Sequence, residues 1–315
     1  MSPQFTLSGV NPMTIEKVLV ADHLVEPHHH QLENIRTLSD DEINNINVAS
    51  TLIASFNFSY SLFEICNENY FSIEEYYARL IRIRGFNQKV THDIQVRWNT
   101  LFLNYLSSFR SFVDHQESLF KMQYRVNKLD CRYSRFKSET AFHYDNNFSY
   151  RFLWHLRNYI QHCGFPSIGF EFTGYGDKKE AKETIVNVAL DRNSLLKNYK
   201  KWKSVKKDLI NQPDAIEVIS HIRSLYASIQ KIAHLIAQLN IDILGDKRGY
   251  LLGIVNEVVE KFPDASPVIC VWDVKNPTDA KPLSIEFLPL YTLFNIQDTF
   301  FGKNPALIDT NRIVS

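Results

Sequence analysis

The chain has few cysteines and sets them far apart. Cys66, Cys131, Cys163 and Cys270 form no CxxC pair. That excludes a disulfide framework and predicts a reducing, cytoplasmic setting. No run of about 18 apolar residues occurs, so no membrane span is expected. The N-terminus lacks the charged-then-apolar pattern of a signal peptide. Charge of either sign is also missing as an excess: the formal net charge is zero and the pI is near 7.2. The field of the whole molecule therefore gives a polyanion no steering, and any such partner has to be met by a local basic patch. P-loop, GxGxxG, GxSxG and HExxH patterns are all absent, and no cofactor is expected.

What is present is apolar and aromatic. Of 315 residues, 44% are hydrophobic and 13% aromatic, enough to bury a large core in one domain or two. Residues 1–39 are punctuated by Pro3, Pro12 and Pro27 and hold one short strand candidate at 17–21. Ser39-Asp40-Asp41-Glu42 has a capping residue followed by first-turn acids, which predicts a helix from about 40 to 67. A second should run from 72 to about 84, ended by Gly85, and a long one from about 91 to 127. Residues 138–163 carry one broken helix or two consecutive ones. The period then changes to two at 167–173 and 183–190, with a turn-like Gly174-Tyr175-Gly176-Asp177 between, which predicts a β-hairpin. Helices are expected at 193–211 and 214–240, split by Pro213 and suited to an antiparallel pair. A helix near 248–261 and short strands at 268–274 and 283–290 complete the pattern. The expected class is mainly α: an antiparallel helical bundle at 40–245 with the hairpin at about 167–190 inserted. An N-terminal extension (1–39) and a small C-terminal α/β extension (246–315) flank it.

The pattern that points to chemistry is Arg157-Asn158-Tyr159-Ile160-Gln161-His162, near the end of a helix that Gly164 and Pro166 should stop. Arg110 and His115 share the same spacing, but Arg110 is followed by Ser111; of these two arginines only Arg157 is followed by asparagine. Phe148, Phe152, Leu156, Tyr159 and Cys163 recur at helical spacing and should form a buried stripe behind the motif. A histidine can act as base or acid near neutral pH. An arginine fork can bind a phosphate oxygen and stabilise developing charge. The bland reading is a pair of cations favoured by the negative end of a helix. Five residues also place Arg157 and His162 roughly 140° apart around a helix, so they share a face only if the helix frays or Arg157 reaches round.

The hexapeptide resembles the R-N-x-x-x-H signature of the HEPN superfamily, and the helix order from about 40 to 240 is similar to its helical bundles. The resemblance implies a metal-independent endoribonuclease with catalytic Arg157, Asn158 and His162, leaving 2′,3′-cyclic phosphate and 5′-hydroxyl ends. It implies a homodimer whose composite cleft joins two motifs, and a toxin or phage-defence role with an antitoxin or a defence-complex partner. Some relatives carry a modified tyrosine two residues after the histidine; Gly164 stands there, which speaks against that mode of control. Two other classes stay open: a non-catalytic RNA-binding or regulatory protein of the same type, and a helical scaffold subunit of a defence complex.

Other residues carry two readings each. Arg110 and Asp114 form a surface ion pair one turn apart, or Asp114 orients His162. Arg151 and His155 share a face that is either solvated or an extension of a phosphate-binding strip. Lys197, Lys200, Lys201, Lys203, Lys206 and Lys207 surround Tyr199 and Trp202. Either this is a soluble helix face with Trp202 in the core, or Lys200 and Lys203 help to bind RNA. His28-His29-His30 lacks the spaced partners of a tetrahedral site, and no metal is expected. His221 and His234 fall on different faces of one helix and suggest nothing.

Overall fold

The computed structural model describes residues 15–26, 29–82, 88–174, 184–273 and 282–301. These are mainly helical, with two small antiparallel sheets. The chain divides into two compact units, residues 1–57 with 240–315, and residues 58–239.

In the first unit the two ends of the chain share one sheet. Strands β1 (Ile15–Glu26) and β2 (His29–Thr37) pair with each other, and β1 also pairs with β6 (Ser266–Asp273), which pairs with β7 (Ser284–Phe287); the order is β2-β1-β6-β7. Val18 faces Cys270 and Val20 faces Val268 across the β1–β6 ladder, and these four form a buried cluster. Strands from the segments expected as N- and C-terminal extensions thus lie in one sheet. Strand pairing over more than 240 residues leaves no local mark in a sequence, whose period-two pattern identifies strands but not partners. Helix α8 (Asp246–Lys261) packs on β6, and α9 (Leu290–Phe301) follows β7 beyond the strand expected at 283–290. Arg36 ties the unit by bonding Glu257 at 2.9 Å and Glu42 at 3.0 Å.

Helix α1 (Asp40–Leu80) starts with the expected cap: Glu42 N–H donates to Ser39 Oγ at 3.3 Å and Ser39 N–H to Glu42 Oε2 at 2.9 Å, a reciprocal capping box. The break expected between 67 and 72 does not occur. No glycine or proline lies between 40 and 84, and Ser72-Ile73-Glu74-Glu75 continues a helix as readily as it starts one.

The second unit is built on α2 (Gln88–Val126), α3 (Arg132–Asn146), α4 (Phe148–Cys163) and α7 (Val218–Leu244). Phe120 meets Phe136 between α2 and α3, and Phe109 of α2 meets Tyr150 and Trp154 of α4 edge-on. Tyr70 of α1 stacks on Tyr226 of α7 at 3.6 Å. The expected hairpin is present as β3 (Ile168–Gly174) and β4 (Thr184–Asp191), with β5 (Ala215–Glu217) as a third strand. Tyr175, Gly176 and Asp177 of its turn lie outside the described residues.

The helix expected at 193–211 is replaced by α5 (Arg192–Asn198), an irregular turn and α6 (Val205–Ile210), and β5 occupies the expected start of the next helix, so the antiparallel pair does not form. A buried tryptophan lies in the turn between α5 and α6. Trp202 is fully buried, stacks on Phe152 and Tyr159, takes Tyr199 edge-on, and donates Nε1–H to the Leu195 carbonyl at 3.1 Å. Lys203 closes the turn with φ +51°, a left-handed conformation that costs a non-glycine residue about 1–2 kcal/mol.

Asn147 is the pivot between α3 and α4. Its Oδ1 accepts from Ser149 N–H at 2.9 Å, and its Nδ2 donates to Ser228 Oγ at 2.9 Å and Ser224 Oγ at 3.1 Å on α7. Removing an N-cap side chain typically costs about 1 kcal/mol and up to about 2. Loss of the two bonds to α7 adds to that. Asn147→Ala should therefore lower the unfolding free energy by about 2–3 kcal/mol in urea titration; a change below about 0.5 kcal/mol would contradict this role.

Candidate functional site

Helix α4 is buried round most of its circumference. Phe152, Leu153, His155, Leu156, Tyr159 and Ile160 are buried, whereas Arg151, Trp154, Arg157 and Asn158 are partly exposed and Gln161 and His162 are exposed. The expected stripe holds for Phe152, Leu156 and Tyr159; Phe148 is half-buried, and Cys163 is exposed with Sγ 3.5 Å from the Asn198 carbonyl. Gly164 ends the helix with φ +82°, its N–H bonded to the Ile160 carbonyl at 3.1 Å.

The helix runs unbroken through His162, so Arg157 and His162 keep their divergence of roughly 140°. Arg157 turns toward Gln161, donating Nη1–H to its Oε1 at 2.5 Å, and its Nε is buried without an acceptor. No carboxylate pairs with Arg157 among the described residues. His162 projects from the last turn with no hydrogen bond or ring contact among them. Asn158 lies one turn before it, about 40° away round the helix. One copy of the chain therefore presents the arginine and the histidine on adjoining faces and does not bring them together.

Asp114 stands elsewhere. It bonds Arg110 Nε at 2.6 Å, one turn away on α2, and its charge acts on Tyr150. Tyr150 is 12 residues before His162, about 18 Å along α4 at 1.5 Å per residue. Arg110 also lies flat over Trp154, 3.3 Å from the ring centroid, a contact the sequence did not suggest.

Arg151 and His155 share a face that is not solvated. Arg151 donates to the Tyr144 and Asp145 carbonyls at 2.6 and 2.5 Å and pairs with Asp208 at 2.9 Å. It closes the end of α3 and fastens α6, so its donors are engaged. His155 is 4% exposed; its Nε2 meets Tyr144 Oη at 3.0 Å, and its Nδ1 is buried without a partner. Tyr144 Oη also lies 3.5 Å from Ser204 Oγ. Tyr144 was not legible as the partner of His155, since it lies on α3, across a helix end.

The lysine-bearing segment runs antiparallel to α4. Asn198 touches Tyr159 and Cys163 near its end, Trp202 packs on Tyr159 and Phe152, Ser204 approaches Tyr144 beside His155, and Asp208 reaches Arg151 near its start. Trp202 is core, as its first reading held. Lys197, Lys200, Lys201, Lys203, Lys206 and Lys207 are all exposed, and among the described residues none forms a salt bridge. No group of three metal-ligating side chains occurs among the described residues. His28 and the side chains of His29 and His30 lie outside them.

Burial lowers the pKa of His155 and His221 below the ordinary value of 6.5; nearby Lys203 and Arg110 lower that of His155 further. Both histidines are therefore held neutral in the folded protein and take up protons more readily when unfolded. Their contribution to stability is present above about pH 6.5 and is lost as pH falls through and below it. The urea midpoint should drop between pH 7 and pH 5, less steeply in His155→Gln, which keeps a donor to Tyr144. An identical acid slope in that variant would show that His155 does not carry the effect.

No protein-family model, curated protein or solved structure matches the chain.

Proposed function

We propose that this chain is a metal-independent endoribonuclease of the HEPN type. It acts as a homodimer, leaves 2′,3′-cyclic phosphate and 5′-hydroxyl ends, and serves as a toxin or phage-defence effector. The observation that carries the reading is the state of the motif. Among the described residues Arg157 meets the neutral Gln161 and no carboxylate, and His162 is open to solvent on the same two turns. The guanidinium is partly exposed, and a phosphate oxygen can accept from its outer N–H groups.

The divergence of the two side chains gives the dimer its purpose. In a face-to-face pair of α4 ends, each Arg157 adjoins the His162 of the second copy. One His162 takes the proton of the ribose 2′-hydroxyl as its oxygen attacks phosphorus. The other gives a proton to the departing 5′-oxygen, so the P–O5′ bond breaks as the cyclic ester forms. Arg157 holds the non-bridging oxygens as charge grows on them. Asn158, one turn from His162, orients the ribose or the imidazole.

A scaffold role would be expected to tie Arg157 to a carboxylate, and none is there among the described residues. The exposed lysines beside α4 equally suit a protein that binds RNA without cutting it, so cleavage is the deciding assay. Purified full-length protein in EDTA should cut unpaired RNA with cyclic-phosphate ends, and Arg157→Ala or His162→Ala should each lower the rate by about 10²-fold or more. Cutting that persists unchanged in both variants sinks the proposal. RNA that is bound but left intact by the wild-type protein gives the binding reading instead.

A further inference from the structure

We infer that residues 197–207 form a cationic rail for the sugar–phosphate backbone of unpaired RNA, leading to the end of α4. The inference rests on the proposed RNA-directed function but concerns binding, and it can stand if cleavage is not found.

Three observations carry it. The first is charge: six lysines lie in eleven residues, all exposed, none in a salt bridge among the described residues. The neighbouring arginines differ. Arg110, Arg151 and Arg192 are each paired with an aspartate. In a chain of zero net charge, this is a local concentration of uncompensated cations.

The second is placement. The segment is not a loose tail, because Trp202 and Tyr199 are buried and fasten it beside α4. It spans α4 from Cys163, next to His162, to Arg151. Twelve residues of helix are about 18 Å, the length of roughly three phosphates of an extended strand at about 6 Å each.

The third is backbone strain at a lysine. Lys203 holds φ +51°, where glycine or asparagine would be unstrained. The turn needs a left-handed residue, and lysine occupies it with its ammonium outward, next to the His155–Tyr144 pair.

The rail suits one backbone rather than two, since it is a single lysine-bearing segment along one side of α4. The proposed chemistry also needs the 2′-oxygen, phosphorus and 5′-oxygen in line, which stacked A-form strands do not allow. The ligand class is therefore unpaired RNA, read through its phosphates with little dependence on sequence.

The test is fluorescence-anisotropy binding of a labelled ten-nucleotide unpaired RNA and of its duplex, using the full chain. Lys200→Gln, Lys203→Asn and Lys206→Gln are combined, with asparagine chosen because it fits the left-handed backbone. A matched variant, Lys121→Gln with Lys128→Gln and Lys231→Gln, removes three charges elsewhere in the same unit. The rail variant should bind unpaired RNA at least tenfold more weakly, with the slope of log Kd against log salt reduced by about 2. The matched variant should stay near wild type, and the duplex should bind more weakly than the single strand. Equal losses in the two variants, an unchanged Kd in the rail variant, or tighter binding of the duplex would each overturn the inference. Cutting that persists with undiminished binding in the rail variant removes the rail and leaves the nuclease. Binding lost in that variant, with no cutting by wild type, keeps the rail and removes the nuclease.

Discussion

The burial of Trp202 against Phe152 and Tyr159 is the contact on which the site depends. A tryptophan with its Nε1–H satisfied by the Leu195 carbonyl can be wholly buried without an unpaired donor. Burying it draws the chain on both sides down onto α4. The segment that carries it includes the break between α5 and α6 and the left-handed residue at Lys203, and it sets Ser204 beside Tyr144 and Asp208 beside Arg151. The lysines are exposed because the aromatics between them are not.

Around that contact the cations fall into two classes. Arg110, Arg151 and Arg192 are tied to carboxylates, carbonyls or a ring and hold elements together. The lysines of 197–207 and the surface side of Arg157 have no such ties among the described residues. A planar guanidinium with five donors suits fixed multiple bonds, and a flexible ammonium suits a backbone that slides and varies. The division by residue type follows that physical difference. It leaves a molecule of zero net charge with a local cationic face.

Much of the local structure was legible in the sequence. The Ser39–Glu42 capping box, the Gly164 stop, the β3–β4 hairpin and the long α2 were written in caps, breakers and period. Residues that fold through distant partners were not. The pairing of β1 with β6 depends on strands about 250 residues apart. The α5–α6 break is marked by no glycine or proline. Of the candidate site, Arg157, Asn158 and His162 could be found by spacing, and their angular divergence followed from helix geometry. The engagement of Arg151 and the burial of His155 could not be found that way, because both depend on Tyr144 and Asp208, which lie on other elements. Asp114 likewise read as a possible neighbour of His162 until the position of α2 against the start of α4 was known.

The central claim is that RNA lies along α4 and the segment fastened beside it. Photo-crosslinking of an unpaired RNA containing 4-thiouridine, followed by mass spectrometry of the digested protein, tests it directly. Crosslinks should concentrate in residues 151–163 and 197–207. Crosslinks confined to residues 15–57 or 240–301 would contradict the account.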